Sequence, residues 1–153
     1  MSTHGDFLDY KLALERIKEI VINSSNILMD VVDFLYKNFD NYSWVGIYII
    51  EDNYLVLGPW KGKQSTEHTK IPIGKGICGS AAASGNTEII SDVNADKRYL
   101  ACFVSTKSEI VVPIKKEDTI LGEIDIDSDI KNAFTKIDKE FLEKIADMLS
   151  KHI

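Results

Sequence analysis

From Thr119 to Asp127 the sequence T-I-L-G-E-I-D-I-D alternates residue by residue, a pattern that a helix cannot use. A strand repeats every two residues. Ile120, Gly122, Ile124 and Ile126 therefore fall on one face, and Leu121, Glu123, Asp125 and Asp127 on the other. The preceding run S-E-I-V-V-P-I at 108–114 reads as a second strand, joined to the first by the charged turn Lys115 to Asp118. Pairing Ile114 with Ile120 across that turn sets Glu109 opposite Asp125, and a slip of two residues keeps every side chain on its face. The chain must then contain an antiparallel hairpin with one apolar side and one acidic side.

Carboxylates two residues apart on a strand lie about 6–7 Å from one another, and a cross-strand acid comes nearer, so the acidic side repels itself unless water or a cation lies against it. Two readings follow. The plain one is a solvated outer face, which antiparallel sheets often have. The other is a site for a cationic group. Just upstream, Y-L-A-C-F-V-S-T-K at 99–107 sets Cys102 in a loop with Ser105, Thr106 and Lys107. An ordinary thiol has a pKa of about 8.5 and only its thiolate attacks, so polar neighbours and a cation such as Lys107 suit a reactive cysteine. A free cysteine is equally a common packing residue, and Cys102 by itself decides nothing.

With 153 residues, 44% of them hydrophobic, the chain reads as a single domain over 1–153 that can bury a proper core. The net charge of −6, with neither a basic stripe nor interleaved basic and aromatic residues, argues against nucleic acid and anionic membrane as partners. It favours a small partner that is cationic in part. The first residues lack the pattern of a signal peptide and no apolar run reaches the ~20 residues of a membrane span, so a cytoplasmic protein is expected. In that reducing compartment Cys78 and Cys102 are not expected to form a structural disulfide, though a transient catalytic one is compatible. The three histidines, His4, His68 and His152, show no metal-ligand spacing, and no metal is expected.

The rest of the chain alternates between helix and strand signals. Phe7, Tyr10, Leu14, Ile17 and Val21 make one helical stripe, and Leu28, Val31, Val32, Leu35 and Phe39 make a second, with Ser24 or Ser25 as its N-cap. S-W-V-G-I-Y-I-I at 43–50 and Y-L-V-L-G-P-W at 54–60 read as paired strands, with Trp44, Gly46 and Tyr48 on one face; two aromatics flanking a glycine can wall a gap for a small apolar group, and core packing of the aromatics is the more frequent and a compatible use of the pattern. I-P-I-G-K-G-I-C-G-S-A-A-A-S-G at 71–85 passes through Gly74 and Gly76 into a short helix ended by Gly85. Glycines before a helix leave N–H groups for an anion, although the other residues of a nucleotide-binding loop are missing. Thr135 and Asp138 form a capping box for a last helix over about 137–151. The order is that of an α+β domain, with a mainly antiparallel central sheet flanked by N- and C-terminal helices.

Five blocks carry a family likeness: W-V-G-I-Y at 44–48, L-G-P-W-K-G-K at 57–63, the run at 71–85, A-C with S-E-I-V-V-P at 101–113, and L-G-E-I-D-I-D-S at 121–128. In this order they resemble the free methionine-(R)-sulfoxide reductases, stand-alone GAF-domain enzymes, over essentially the whole chain. The resemblance implies that Cys102 is the catalytic cysteine, that Glu109, Asp125 and Asp127 hold the substrate, and that Trp44 and Tyr48 are pocket aromatics. Cys78 matches a second family cysteine. Many members carry a third cysteine ten residues before it, which typically resolves the sulfenic acid; here that position is His68, and Phe103 and Val104 replace polar residues usual after the catalytic cysteine. This is the pattern of a two-cysteine subtype.

The implied reaction reduces free methionine-(R)-sulfoxide through a sulfenic acid on Cys102. Either Cys78 or an outside thiol condenses with that acid, and a thioredoxin-type reductant closes the cycle without any bound cofactor. A homodimer is expected. The alternatives are a GAF domain that senses a small amino-acid-like ligand without chemistry, and a dimerisation module built on the terminal helices.

Overall fold

The computed structural model describes residues 7–100 and 105–153. Cys102, Phe103 and Val104 lie outside the described residues, as does the side chain of Phe7. Two helices, α1 (Phe7–Asn23) and α2 (Ile27–Asn38), precede the hairpin β1 (Trp44–Glu51) and β2 (Tyr54–Gly62). A short β3 (Lys70–Pro72) leads into α3 (Gly76–Ser84) and β4 (Glu88–Ile90). The second hairpin, β5 (Ser108–Lys116) and β6 (Thr119–Ser128), and the last helix α4 (Lys136–Leu149) complete the order. The six strands form one sheet in the order β3-β2-β1-β6-β5-β4, antiparallel at every pairing. The expected α+β architecture is the one observed.

Both faces of the sheet are covered, which an antiparallel sheet does not require. On one face Val45, Ile47, Ile110, Val112, Ile114, Ile124 and Ile126 pack against α1, α2 and α4, where Ile17, Val31, Leu35, Leu142, Ile145 and Leu149 are almost fully enclosed. Each such side chain contributes about 1.5–3 kcal/mol of burial. On the other face Tyr48, Leu55 and Val111 pack against Ile77, Ala81 and Ala82 of α3 and against Val93. The apolar half of the β6 alternation thus feeds the first core, and its acidic half faces α3. Among the described residues, no helix is long and apolar enough to cross a membrane.

The hairpin register differs from the expected one. Ile114 pairs with Gly122 rather than Ile120, and Glu109 with Asp127 rather than Asp125. The strands run on to Lys116 and Thr119, so the turn is only Glu117 and Asp118, and a bulge leaves Leu121 without a partner before Lys115 meets Ile120. Gly122 allows β1 to approach there, since a Cβ on it would come within 2.2 Å of the Tyr48 carbonyl oxygen. The shift of two residues leaves each side chain on its expected face. Pro113 lies just past the end of β4, whose last partner in that direction is Val111, so its missing N–H breaks no ladder on that side.

The helix ends follow local chemistry. α2 starts after Asn26 rather than at a serine cap: the Ser24 hydroxyl accepts from the Asn26 N–H (2.8 Å) and donates to the Asp30 carboxylate (2.6 Å). α3 ends at Gly85, whose left-handed φ of 74° returns its N–H to the Ala81 carbonyl. α4 ends at Leu149 and tightens into a 3-10 turn over 150–152, short of the expected 151. At its start the capping box of Thr135 and Asp138 is present.

Asp138 does more than cap. It is 2% exposed, and its Oδ1 accepts from the hydroxyls of Tyr10 (2.8 Å) and Tyr42 (2.7 Å), while its Oδ2 accepts from the Thr135 N–H (2.8 Å). Burial first, and then this carboxylate, raise the pKa of both tyrosines, so they stay neutral donors. One side chain ties α1, the segment before β1 and α4 together. Asp138→Ala breaks the capping box of α4 and orphans two buried hydroxyls, and should cost about 3 kcal/mol or more in urea denaturation at an unchanged m-value, against about 1 kcal/mol for Tyr42→Phe.

Candidate active site

β6 lies between β1 and β5, so each of its acids has a neighbour on either side. Asp127 sits between Trp44 and Glu109, Asp125 between Gly46 and Val111, and Glu123 between Tyr48 and Pro113. Directly paired residues of antiparallel strands share a face, so this pairing collects the expected site residues into one patch. α3 then lays Cys78 over it, with the thiol 3.8 Å from Oε2 of Glu109. Of the sequence-expected site residues, Glu109, Asp125, Asp127, Trp44, Tyr48 and Cys78 come together; Cys102 is outside the described residues.

The patch is enclosed rather than solvated. Glu109 is 5% exposed, Glu123 0%, Asp125 4% and Asp127 4%, which removes the reading of an outer wet face. Among the described residues, no lysine or arginine pairs with Glu123, Asp125 or Asp127. Both carboxylate oxygens of Glu123, Oδ1 of Asp125 and Oδ1 of Asp127 are buried without a hydrogen-bond partner. Ionised carboxylates cannot persist cheaply in such a place, and they respond by holding their protons.

Burial raises the pKa of Glu123 well above normal, the charge of Asp125 adds to the rise, and the nearby Cys78 thiol opposes it. Asp125 is raised by burial against hydrogen bonds with Glu109 and Cys78, and Asp127 is raised well above normal by burial and then by Asp125. The Cys78 thiol is pushed well up by burial and then by Asp125, Glu109, Glu123 and Asp127. It stays neutral. Glu123 is the site residue that sequence reasoning passed over. Its signal was present, because it stands two residues before Asp125 in the same alternation.

Two small clefts open on the patch. The first is lined by Trp44, Lys63, Gln64, Ser105, Thr106 and Asp127. The second is lined by Tyr48, His68, Ile77, Cys78, Leu100, Glu109 and Asp125, among others. The Tyr48 hydroxyl donates to the His68 carbonyl (2.7 Å) and fixes the loop that rims the second cleft. Arg98 anchors its far side by pairing with both carboxylate oxygens of Glu88 at 3.1 Å and with Asp96 at 2.8 Å. Of the two readings of the Gly46 face, packing is the one observed: the indole of Trp44 fills the gap, since a Cβ on Gly46 or Gly62 would come within 2.4 or 2.3 Å of that ring. The Gly74 N–H is no anion donor, because it bonds to the Gly79 carbonyl at 2.8 Å.

The donor chemistry also includes a metal-like grouping. Ligand atoms of Cys78, Glu109 and Asp125 all lie within 4.8 Å of one another.

Comparison with known proteins adds to this geometry. The GAF domain family matches residues 24–153. The chain is 46% identical over 136 residues to the free methionine-R-sulfoxide reductase of Saccharomyces cerevisiae, covering 86% of this chain and 74% of that one. Among solved structures it is similar to fRMsr of Staphylococcus aureus in its reduced form (39% identity, TM-score 0.85, 93% of each chain covered). It is also similar to the free methionine-R-sulfoxide reductase of Neisseria meningitidis in complex with its substrate (33% identity, TM-score 0.87, covering 93% of this chain and 86% of that one).

The raised acids set a sign for stability. A carboxyl whose folded pKa exceeds its unfolded value keeps a proton that the unfolded chain releases, so its effect on stability is lost as pH rises from about 4.5, the ordinary value for Glu123, through the raised one. Glu123→Gln should therefore flatten the fall of Tm with increasing pH and raise Tm by a few degrees at pH 8 while changing little at pH 4. Thermal unfolding of both proteins across that range measures it.

Proposed function

The chain is a member of the GAF-domain family, among the free methionine-R-sulfoxide reductases, and from that membership we propose that it reduces free methionine-(R)-sulfoxide to methionine. The observation that carries the reading is the buried pair Asp125 and Asp127 beside Glu109: each aspartate keeps one oxygen without a hydrogen-bond partner among the described residues, and the row faces two clefts. An α-ammonium group is a cation with several donors of the kind such a row accepts. In this proposal Asp127, in the cleft with Trp44 and Lys63, takes the ammonium, and Asp125 and Glu109 face the sulfoxide oxygen in the neighbouring cleft.

Cys102 is assigned as the nucleophile. Leu100 and Ser105, which flank its segment in sequence, line the two clefts, and this supports the assignment. The thiolate and the sulfoxide react with one proton: a sulfur–oxygen bond forms on Cys102, the sulfoxide sulfur–oxygen bond breaks, and the sulfide is released. Cysteine is oxidised by two electrons to sulfenic acid and the sulfoxide is reduced by two. Burial raises the pKa of Asp125, which favours its protonated form and suits it to supply the proton to the departing oxygen.

A second thiol then condenses with the sulfenic acid and releases water. Cys78 is the sole internal candidate, but its thiol stays neutral in the acidic enclosure, and exchange needs a thiolate. We assign this step to an external dithiol of the thioredoxin type and keep Cys78 as a wall of the cleft. The homodimer and the reducing cytoplasmic setting remain part of this reading.

The test is consumption of a dithiol reductant when the resolved R and S epimers of free methionine sulfoxide are supplied. The R epimer should be turned over and the S epimer should not. Cys102→Ser should lose even the single stoichiometric turnover, and Cys78→Ser should keep both the single turnover and dithiol-supported cycling. Methionine formation by the Cys102→Ser variant would overturn the nucleophile, and a Cys78 to Cys102 disulfide in trapped protein would overturn the external route. Ligand binding without turnover would instead establish a sensor.

A further inference from the structure

We propose that Cys78, Glu109 and Asp125, with the imidazole of His68 as fourth ligand from the rim, form a site for a thiophilic divalent cation of the zinc class. The three inner donors come from α3, β5 and β6, so packed elements hold them. Their ligand atoms lie within 4.8 Å of one another, and the Cys78 to Glu109 separation is 3.8 Å. Zinc binds thiolate at about 2.3 Å and carboxylate oxygen at about 2.0–2.2 Å in a tetrahedron, which puts neighbouring donors roughly 3.4–3.7 Å apart. Small side-chain rotations close the remaining difference.

A second observation points the same way. Glu123, two residues before Asp125 on β6, is fully enclosed with neither oxygen partnered among the described residues. With the unpartnered oxygens of Asp125 and Asp127, it leaves buried acceptor capacity that a compact double charge would satisfy. A thiol beside an imidazole selects zinc-like ions over magnesium or calcium, which prefer oxygen alone. His68 lines the same cleft as the other three and is half-buried; its imidazole lies outside the group of atoms within 4.8 Å and would turn inward to close the coordination from the solvent side. Occupation would fill the cleft and exclude the sulfoxide, making the ion an inhibitor. The site rests on the donor geometry and stands or falls apart from the reductase reading.

Cobalt(II), a spectroscopic substitute for zinc, gives the test on the full chain carrying Cys102→Ser, in which only Cys78 can supply a thiolate. One equivalent of cobalt should produce a near-ultraviolet thiolate-to-metal band that zinc displaces and millimolar magnesium does not. Cys78→Ser on the same background should abolish the band. Glu109→Gln, which keeps the thiol and covers the case of a cysteine variant that fails to fold, should weaken binding about tenfold, as should His68→Ala. No band at saturating cobalt, a band that survives loss of Cys78, or affinity unchanged by Glu109→Gln would overturn the site. Unchanged affinity in His68→Ala would overturn the fourth ligand.

Discussion

Four carboxyl groups enclosed between neighbouring strands and one small helix, three of them (Glu123, Asp125 and Asp127) with no lysine or arginine partner among the described residues, set the terms for the rest of this molecule. A buried carboxylate is costly unless it is paired, and replacing Glu123, Asp125 or Asp127 with apolar residues would relieve that cost. The fold instead holds them in place. β6 is flanked on both sides, α3 closes the face with small residues, and the Arg98 pairing anchors the loop beyond β4. The stored demand for positive charge is what a cationic ligand would satisfy.

Such a site needs support from elsewhere in the fold, and the opposite face of the same strands provides it. Ile124 and Ile126 alternate with the acids and are almost fully buried among the helices, so their packing offsets the burial of the carboxyls. Asp138 shows the contrast between a satisfied and an unsatisfied buried acid. Its two oxygens accept from Tyr10, Tyr42 and Thr135, so it locks three elements, whereas Glu123 has neither oxygen partnered. The first arrangement is architectural; the second is available to a ligand.

The face of every acid was legible in the sequence because the two-residue period of β6 fixes it whatever the register. The register itself was not, since the Leu121 bulge and the tight turn at Glu117 are local choices that the hydrophobic pattern does not encode. Enclosure of the acids was also out of reach: alternation tells which residues share a face, and only the packing of α3 on that face tells that it is dry. The capping box of Thr135 and Asp138 could be read directly, but the tyrosines that converge on Asp138 are 128 and 96 residues away in the chain. The indole of Trp44 over Gly46 and Gly62 depends on a rotamer and on a glycine of the partner strand, so the pattern alone could not choose between a gap there and aromatic packing.

The central claim is that the acidic row recognises a free α-ammonium group, and its most direct measure is kcat/KM for free against N-acetylated methionine-(R)-sulfoxide, on the native chain and on Asp127→Asn. An amide offers no positive charge, and a site built for a charged donor rejects an analogue that lacks it by orders of magnitude. The account predicts that the acetylated compound is turned over at least a hundredfold less efficiently, and that Asp127→Asn loses far more on the free amino acid than on its acetyl derivative. Comparable turnover of the two compounds by the native chain would contradict it.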